Sequence, residues 1–341
     1  MKVLFHSLVD YEDLPEYGHR LDYLADSVFH GFRDLLGEDA VDYPKMEHMY
    51  KENFSLVKTD KCKGFSLYNR LDDIPVDRED IEQKIRNNYF DIVVVAIHHS
   101  YLSNREAVIR IIGEIEHLNP HQKIALLDGN DSQGDDHELF GLARYYKREM
   151  KGANRHLCLP IAFSIPESVV VDEVPEKTKD FATIVPSFMR HPHWATYVFD
   201  EEEKYFADYE NSFYGFTCKK GGWDCLRHYE ILARGCVPFF TDLEQCPDLT
   251  LFNFPKNLTI LGKQIQGLEP CLVDGSKYDP NHSFIGTCMN SLCTYNHKIN
   301  HSVFNKDMYY EIANELLDYT RSKLTTKYIA KYIIETIKIG V

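Results

Sequence analysis

The residue types with the most chemical potential are concentrated in the stretch from Gly221 to Pro247. Apolar spacing predicts a short helix from about Cys225 to Ala233, and a strand follows from Val237 to Phe240. Backbone N–H groups and the helix dipole make the start of such a helix favourable for a phosphate. The polar residues around its first turns are Asp224, Arg227, His228 and Glu230. We therefore predict an anion-binding site at the start of this helix.

Ordinary packing is the alternative interpretation of the same helix, because it also carries an apolar stripe. The residues of this stripe are Leu226, Tyr229, Leu232 and Ala233. Packing alone does not require two acids, an arginine and a histidine so close together, which favours a binding function. Trp223 either stacks on a base or sugar ring or fills the core, and His228 either binds the ligand or packs on Trp223. The residues leave both alternatives open.

A second set of polar residues follows predicted strands in both halves of the chain. Ligands of open α/β sheets bind beyond the carboxyl ends of the strands. The candidate general bases, in order of preference, are His98, Asp128 and Asp131. Further candidate ligand-binding residues are Ser187, Arg190, Lys219 and Gly222. The alternative for His98 is a polar strand exit, and for the segment 128–131 a turn, because Asp, Gly and Asn favour turns.

The elements that must position these residues alternate between strand and helix, which is typical of a parallel sheet covered by helices. Lys2 to Leu8 predicts the first strand, and Asp22 to Leu36 a helix that stops at Gly37. Leu139 to Met150 predicts another helix. The strand and helix pattern restarts near Phe181. The sequence therefore predicts an α/β protein of two Rossmann-like domains.

The predicted domain boundaries follow from this restart. We expect a first domain over 1–165, a linker rich in Pro and Glu over 166–179, and a second domain over 180–320. A terminal helix over 321–341 follows.

Composition limits the class of partner. The net charge of −15 argues against a nucleic acid, because a polyanion would be repelled by the average field. The nine cysteines include no Cys-x-x-Cys pair, so neither a disulfide framework nor a zinc site is indicated. No apolar run approaches about 18 residues, and the first residues do not form a signal peptide. We expect a cytoplasmic protein without an integral membrane segment.

The order aromatic, Asp, x, x, Arg, His, x, Glu, x, x, Ala, x, Gly, Cys, x, Pro, from Trp223 to Pro238, resembles a known pattern. It is similar to the donor-site helix of sugar-nucleotide glycosyltransferases with the two-domain glycosyltransferase-B fold, in particular exostosin-like members and relatives from large algal viruses. The stretches Asp22 to Arg33 and Val41 to Lys45 also resemble the N-terminal half of viral and bacterial members.

The resemblance implies two domains facing across a cleft, the first for an acceptor and the second for a nucleotide-sugar, with terminal helices that cross back onto the first. By position, Glu230 would hold the nucleotide ribose and Arg227 would face the diphosphate. The expected reaction is hexosyl or pentosyl transfer from a nucleoside-diphosphate sugar, UDP in preference to GDP, to a glycan hydroxyl. The expected setting is glycan or glycoprotein biosynthesis, in the host cytoplasm if the protein is viral.

Transfer by inversion needs a base for the acceptor hydroxyl and stabilisation of the departing diphosphate. Cationic groups at the helix start can take the place of a metal, so no metal or other cofactor is expected. Retaining members carry a further glutamate on this segment, near the position of Gly222, and its absence favours inversion. The alternatives are a sugar-nucleotide epimerase or hydrolase on the same fold, a non-catalytic two-lobed binding protein, and a scaffold with a degenerate transferase fold.

Overall fold

The computed structural model describes most of the chain in two compact units. The described residues are 1–7, 22–51, 64–97, 101–131, 139, 141–150, 156–184, 198–270, 284–287 and 294–338, with the backbone alone for 101–105, 284–287 and 294–296. The first unit comprises Met1–Pro166, Pro247–Phe252 and Thr325–Val341. The second unit comprises Glu167–Cys246 and Asn253–Leu324.

A six-stranded parallel sheet forms the centre of the first unit. Its strands are β1 (Val3–His6), β2 (Ala40–Tyr43), β3 (Ile92–Ile97), β4 (Ile124–Asp128), β5 (Arg144–Lys147) and β6 (Leu159–Pro160). They lie in the order β2-β1-β3-β4-β5-β6, with Val3 opposite Ala40 on one side and Ile92 on the other. All six residues of β3 are buried, as expected for a parallel strand covered on both faces.

Three helices follow in the first part of this unit, α1 (Tyr23–Leu36), α2 (Ile81–Arg86) and α3 (Tyr101–Leu118). The Asp22 carboxylate caps α1, because its Oδ1 accepts hydrogen bonds from the N–H groups of Leu24 (2.7 Å) and Ala25 (3.3 Å). Gly37 ends the helix with a φ of +59°. The helix predicted from Asp22 to Leu36 is confirmed.

The helix predicted from Leu139 to Met150 is wrong in its central part, where β5 runs parallel to β4. Leu139, Leu142 and Tyr145 have helical spacing, but Tyr145 and Tyr146 are both buried. Adjacent buried aromatic residues suit a strand covered on both faces better than an amphipathic helix.

The second unit contains a three-stranded parallel sheet of β7 (Lys179–Phe181), β8 (Ser212–Thr217) and β9 (Val237–Phe240), with β8 in the centre. Its helices are α4 (Glu202–Glu210), α5 (Leu226–Ala233), α6 (Lys256–Gly262) and α7 (Lys306–Lys323). A separate antiparallel sheet consists of β10 (Leu268–Pro270), β11 (Phe284–Thr287) and β12 (Thr294–Ile299), in the order β10-β12-β11. The two parallel sheets with their helices make a mixed α/β protein, compatible with Rossmann-like domains.

The segment 166–179, expected as a linker, belongs to the second unit from Glu167 onward. The N–H of Val171 donates to the carbonyl of Ala233 (2.9 Å), and the Lys177 ammonium donates to the carbonyl of Glu210 (2.8 Å). These bonds hold the segment along the second unit.

The last helix, α8 (Thr326–Thr336), belongs to the first unit and packs on α1. A side-chain carbon at Gly31 would lie 2.0 Å from the carbonyl oxygen of Thr326, so only glycine permits this approach. The ring Nδ1 of His30 lies 3.0 Å from the Thr326 hydroxyl, and the Tyr146 hydroxyl lies 2.8 Å from that of Thr336. Among the described helices, none has the length and apolar character needed to cross a membrane.

Candidate functional site

The predicted anion site lies at the carboxyl edge of the second unit's parallel sheet. The central strand β8 ends at Thr217, residues 218–225 form a loop, and α5 leads back to the parallel strand β9. The start of α5 therefore lies at the edge where open α/β sheets bind ligands. The side chain of Cys225, the N-cap residue of α5, makes no capping hydrogen bond, and the N–H of His228 in the first turn donates to the Cys225 carbonyl (3.0 Å). The predicted helix and strand are confirmed, with the helix starting at Leu226.

His228 holds the loop onto β8 and is completely buried. Its Nε2 donates to the carbonyl of Trp223 (2.9 Å), since a carbonyl can only accept. Its Nδ1 lies 2.9 Å from the Thr217 hydroxyl, and its ring lies against Phe240 with centroids 4.6 Å apart. With both ring nitrogens engaged inside the protein, His228 shapes the loop and does not present a nitrogen to a ligand.

Two further contacts fix the loop. The Asp224 carboxylate accepts a hydrogen bond from the Tyr229 hydroxyl (2.9 Å) and is buried. The N–H of Lys219 donates to Asp242 (3.2 Å). Residues 219–224 are therefore held in one shape before any ligand binds.

Three cationic side chains surround this loop. The Lys219 ammonium lies 5.4 Å from the centroid of the Trp223 ring, which is itself buried. Burial and the positive charge of Arg227 lower the pKa of Lys220. The N–H of Lys220 also donates to the Gly222 carbonyl (3.0 Å), which closes a tight turn. An anion bound beside this loop would be stabilised by the positive charges of Lys220 and Arg227.

Glu230, the predicted ribose ligand, is buried one turn further along α5, with 7% of its surface exposed. Its Oε2 accepts a hydrogen bond from the Tyr205 hydroxyl on α4. Burial, followed by the charge of Glu230, raises the pKa of Tyr205 well above its ordinary value, so this hydroxyl keeps its proton. The Tyr205 and Tyr209 rings lie edge to face with centroids 5.2 Å apart. The Tyr205 hydroxyl therefore already occupies one of the two carboxylate oxygens of Glu230.

Sequence reasoning missed Tyr205 and Tyr209 because they lie on α4, far from the motif in the chain. Their i, i+4 spacing places both on one face of that helix. This spacing predicts that the face is buried, but it does not predict which residue the face contacts. Only the folded second unit shows that this face lies beside Glu230.

In the first unit, Asp128 is buried at the end of β4 and its carboxylate is fully engaged. Its Oδ2 accepts hydrogen bonds from Tyr145 (2.5 Å) and from the Lys147 ammonium (2.8 Å). Its Oδ1 accepts from the N–H of Asn130 (2.9 Å). Asp128 and Lys147 form a buried ion pair, so removing either side chain would leave the other without its partner.

Asp131 is more accessible than Asp128, with 53% of its side chain exposed. It accepts a hydrogen bond from Arg148, whose guanidinium also donates to the carbonyl of Gly129 (2.9 Å). The positions of His98, Ser187 and Arg190 lie outside the described residues. These three stay predictions from the sequence.

No group of three or more His, Cys, Asp or Glu side chains with metal-binding geometry occurs in the described part of the chain. Comparison with protein-family models, with curated proteins and with solved structures finds no match. The functional interpretation therefore depends on the residues and their geometry.

Proposed function

We propose that this chain is a glycosyltransferase of the glycosyltransferase-B type, which transfers a sugar from a nucleoside-diphosphate sugar to a glycan hydroxyl. UDP is preferred over GDP as the nucleotide, and inversion is the preferred stereochemistry. The observation that carries the proposal is the position of the start of α5 at the carboxyl edge of a parallel sheet, with Lys220 in the loop before it and Arg227 in its first turn. This arrangement suits a diphosphate because it combines two cations with first-turn N–H groups.

The leaving diphosphate would be stabilised by the same groups. Hydrogen-bond donors that are already in position stabilise the charge that develops on the departing oxygen most strongly. The loop 219–224 can supply such donors because His228 and Asp224 hold it in place. No metal is needed in this scheme, because the cations supply the positive charge. Glu230 would accept hydrogen bonds from the ribose hydroxyls once the Tyr205 hydroxyl shares its oxygen.

The acceptor base belongs to the first unit in this proposal. We prefer His98, which directly follows β3, over Asp128, whose carboxylate is engaged by Lys147. Asp131 is the second choice because its side chain is accessible.

Calorimetric titration with UDP and GDP tests the donor site. We expect UDP to bind and the variant Lys220→Gln to bind it about tenfold more weakly, because a hydrogen bond to a charged group contributes about 1.5 kcal/mol or more. Glu230→Gln should also weaken binding. Glu203→Gln, on the exposed face of α4, is the matched control and should bind as the unaltered protein does.

Two results would overturn the proposal. One is the absence of binding to either nucleotide, and the other is equal binding by Lys220→Gln, Glu230→Gln and the control. Incubation with labelled nucleotide-sugars, with and without a glycan acceptor, then separates transfer from hydrolysis or epimerisation. A transferase forms its main product only when the acceptor is present.

A further inference from the structure

The first unit carries an open groove of about 1240 Å³, lined by residues of α2 and α3. Tyr43 and Pro44, at the end of β2, and His6, at the end of β1, also line it. All lining residues belong to the first unit, and none belongs to the loop or helix of the site at α5. Because pockets for single small ligands usually enclose about 300–1,000 Å³, this groove has room for a chain of linked units.

The walls of the groove mix polar and apolar surface, so they form no continuous apolar floor. Ile81, Ile85 and Ile115 are at most 8% exposed, whereas Ile111 and Leu118 are partly exposed. The Tyr43 side chain, in contrast, is 41% exposed. Helix docking requires a continuous apolar floor, whereas one exposed aromatic ring suits a flat ring with C–H groups on its face.

The charges along the groove balance, although the chain as a whole carries −15. Four lysine and arginine residues and four acidic residues line it. Glu82, Arg86 and His117 are exposed, and their side chains make no hydrogen bond or ion pair to other described residues. A wall without net charge favours neither a polyanion nor a polycation, but it offers many donors and acceptors to an uncharged polar ligand.

Gly113 lies within α3 and lines the same groove. No atom lies within 4 Å of the position that its side-chain carbon would take, so the packing of the first unit does not require glycine there. Glycine inside a helix destabilises it by about 0.5–1 kcal/mol relative to alanine. A larger residue would project into the open space, so glycine at this position keeps the groove clear.

We propose that this groove binds an uncharged oligosaccharide. Sugar rings pack their C–H faces on an aromatic ring, here Tyr43, and their paired hydroxyls suit planar carboxylate and guanidinium groups such as those of Glu82 and Arg86. Binding itself depends on the first unit alone. That the bound chain is the acceptor of the transfer reaction rests on the proposed function.

The test is binding of short uncharged gluco-, manno-, xylo- and N-acetylglucosamine oligosaccharides, measured by saturation-transfer NMR and titration without nucleotide. We expect at least one of these probes to bind. Gly113→Phe should abolish binding by filling the groove, whereas the matched control Gly113→Ala should keep it. Tyr43→Ala should weaken binding by about tenfold, which corresponds to about 1.4 kcal/mol and lies within the range for an aromatic contact.

Three outcomes would overturn the inference: none of the probes binds, Gly113→Phe binds as Gly113→Ala does, or a sulfated oligosaccharide binds better than the uncharged ones. Thermal unfolding of Gly113→Phe shows whether that variant is folded, and Tyr43→Ala supplies an independent second variant. Titration of the same proteins with UDP keeps the two proposals distinguishable. If neither the unaltered protein nor the variants bind UDP, the proposed transferase function is wrong, whereas the oligosaccharide result remains valid.

Discussion

At the scale of single residues, the pair formed by Glu230 and Tyr205 determines how a ribose could be held. The Tyr205 hydroxyl fixes one carboxylate oxygen of a buried acid, and its raised pKa keeps it a donor. A carboxylate held in one orientation loses less rotational freedom when a ligand binds. We therefore regard Tyr205 as a positioning residue for Glu230.

Replacing Tyr205 with phenylalanine should lower both stability and nucleotide affinity. A hydrogen bond to a charged group contributes about 1.5–3 kcal/mol, so we expect a loss of stability of about that size. UDP should bind more weakly, and the preference for UDP over 2′-deoxy-UDP should shrink. The control Tyr209→Phe leaves the bond between Tyr205 and Glu230 in place. An unchanged preference for the ribonucleotide in Tyr205→Phe would contradict the positioning role.

Lys220 should make nucleotide binding depend on pH. Burial and Arg227 lower its pKa below the ordinary 10.5, so its charge is lost at a lower pH than that of an exposed lysine. The diphosphate binds the protonated form, so affinity should fall, by about tenfold, as the pH rises through this lowered pKa. Lys220→Arg should remove this fall, because a guanidinium stays charged over the same range. Titrations with UDP at increasing pH measure the affinity of the unaltered protein and of Lys220→Arg. An equal fall in affinity in the two proteins would contradict the role of Lys220.

At the scale of helices and strands, the contact between α1 and α8 depends on Gly31. Alanine there would place a carbon 2.0 Å from the Thr326 carbonyl, so one helix has to move. We expect Gly31→Ala to lower the free energy of unfolding by about 1–3 kcal/mol or more. Gly113→Ala, with open space around it, should raise it by about 0.5–1 kcal/mol. Denaturant unfolding of both variants measures whether the free energy of unfolding falls in Gly31→Ala and rises in Gly113→Ala.

His30, at the same contact, should make the first unit sensitive to acid. Burial lowers its pKa from 6.5 to about 4, so the unfolded chain takes up a proton before the folded one does. Stability is therefore complete above pH 6.5 and falls as the pH drops towards 4, by at most about 3 kcal/mol. His30→Gln should flatten this part of the profile. Denaturant unfolding between pH 6.5 and about 4 measures this difference. Equal losses of stability in the unaltered protein and in His30→Gln would disprove the role of His30.

Elements with a local signal could be predicted from the sequence, and those without one could not. Apolar residues at helical spacing and a stopping glycine defined α1, and an unbroken apolar run defined β3. The short strand β5 was missed because Leu139 and Leu142 before it have helical spacing with Tyr145, and because its strand character depends on pairing with β4. The bond from Lys147 to Asp128 was also beyond prediction, since it arises only when these strands are neighbours.

At the scale of the whole molecule, the alternation of strands and helices predicted the α/β class, and the two parallel sheets agree with it. The motif from Trp223 to Pro238 indicated the loop and helix of the candidate site, and their local structure is as expected. Its binding partners inside the fold, such as Tyr205, required the tertiary structure.

Removal of the chain after Leu324 should unfold the first unit while sparing most contacts of the second. The deletion takes away α8 together with its bonds to His30 and Tyr146, and exposes the face of α1 beside Gly31. Hydrogen exchange should show loss of protection in β1 to β4, with protection retained in β8 and β9. Retained protection in the first unit would mean that α8 is dispensable.

The first unit is assembled from chain segments separated by the second unit, which has a consequence during translation. Between Pro166 and Thr325 the ribosome adds about 160 residues, which takes roughly 8–30 seconds at about 5–20 residues per second. For that interval the nascent first unit lacks the helix that covers α1. Its open apolar face is then a binding site for chaperones, and the protein's yield in a cell should depend on them.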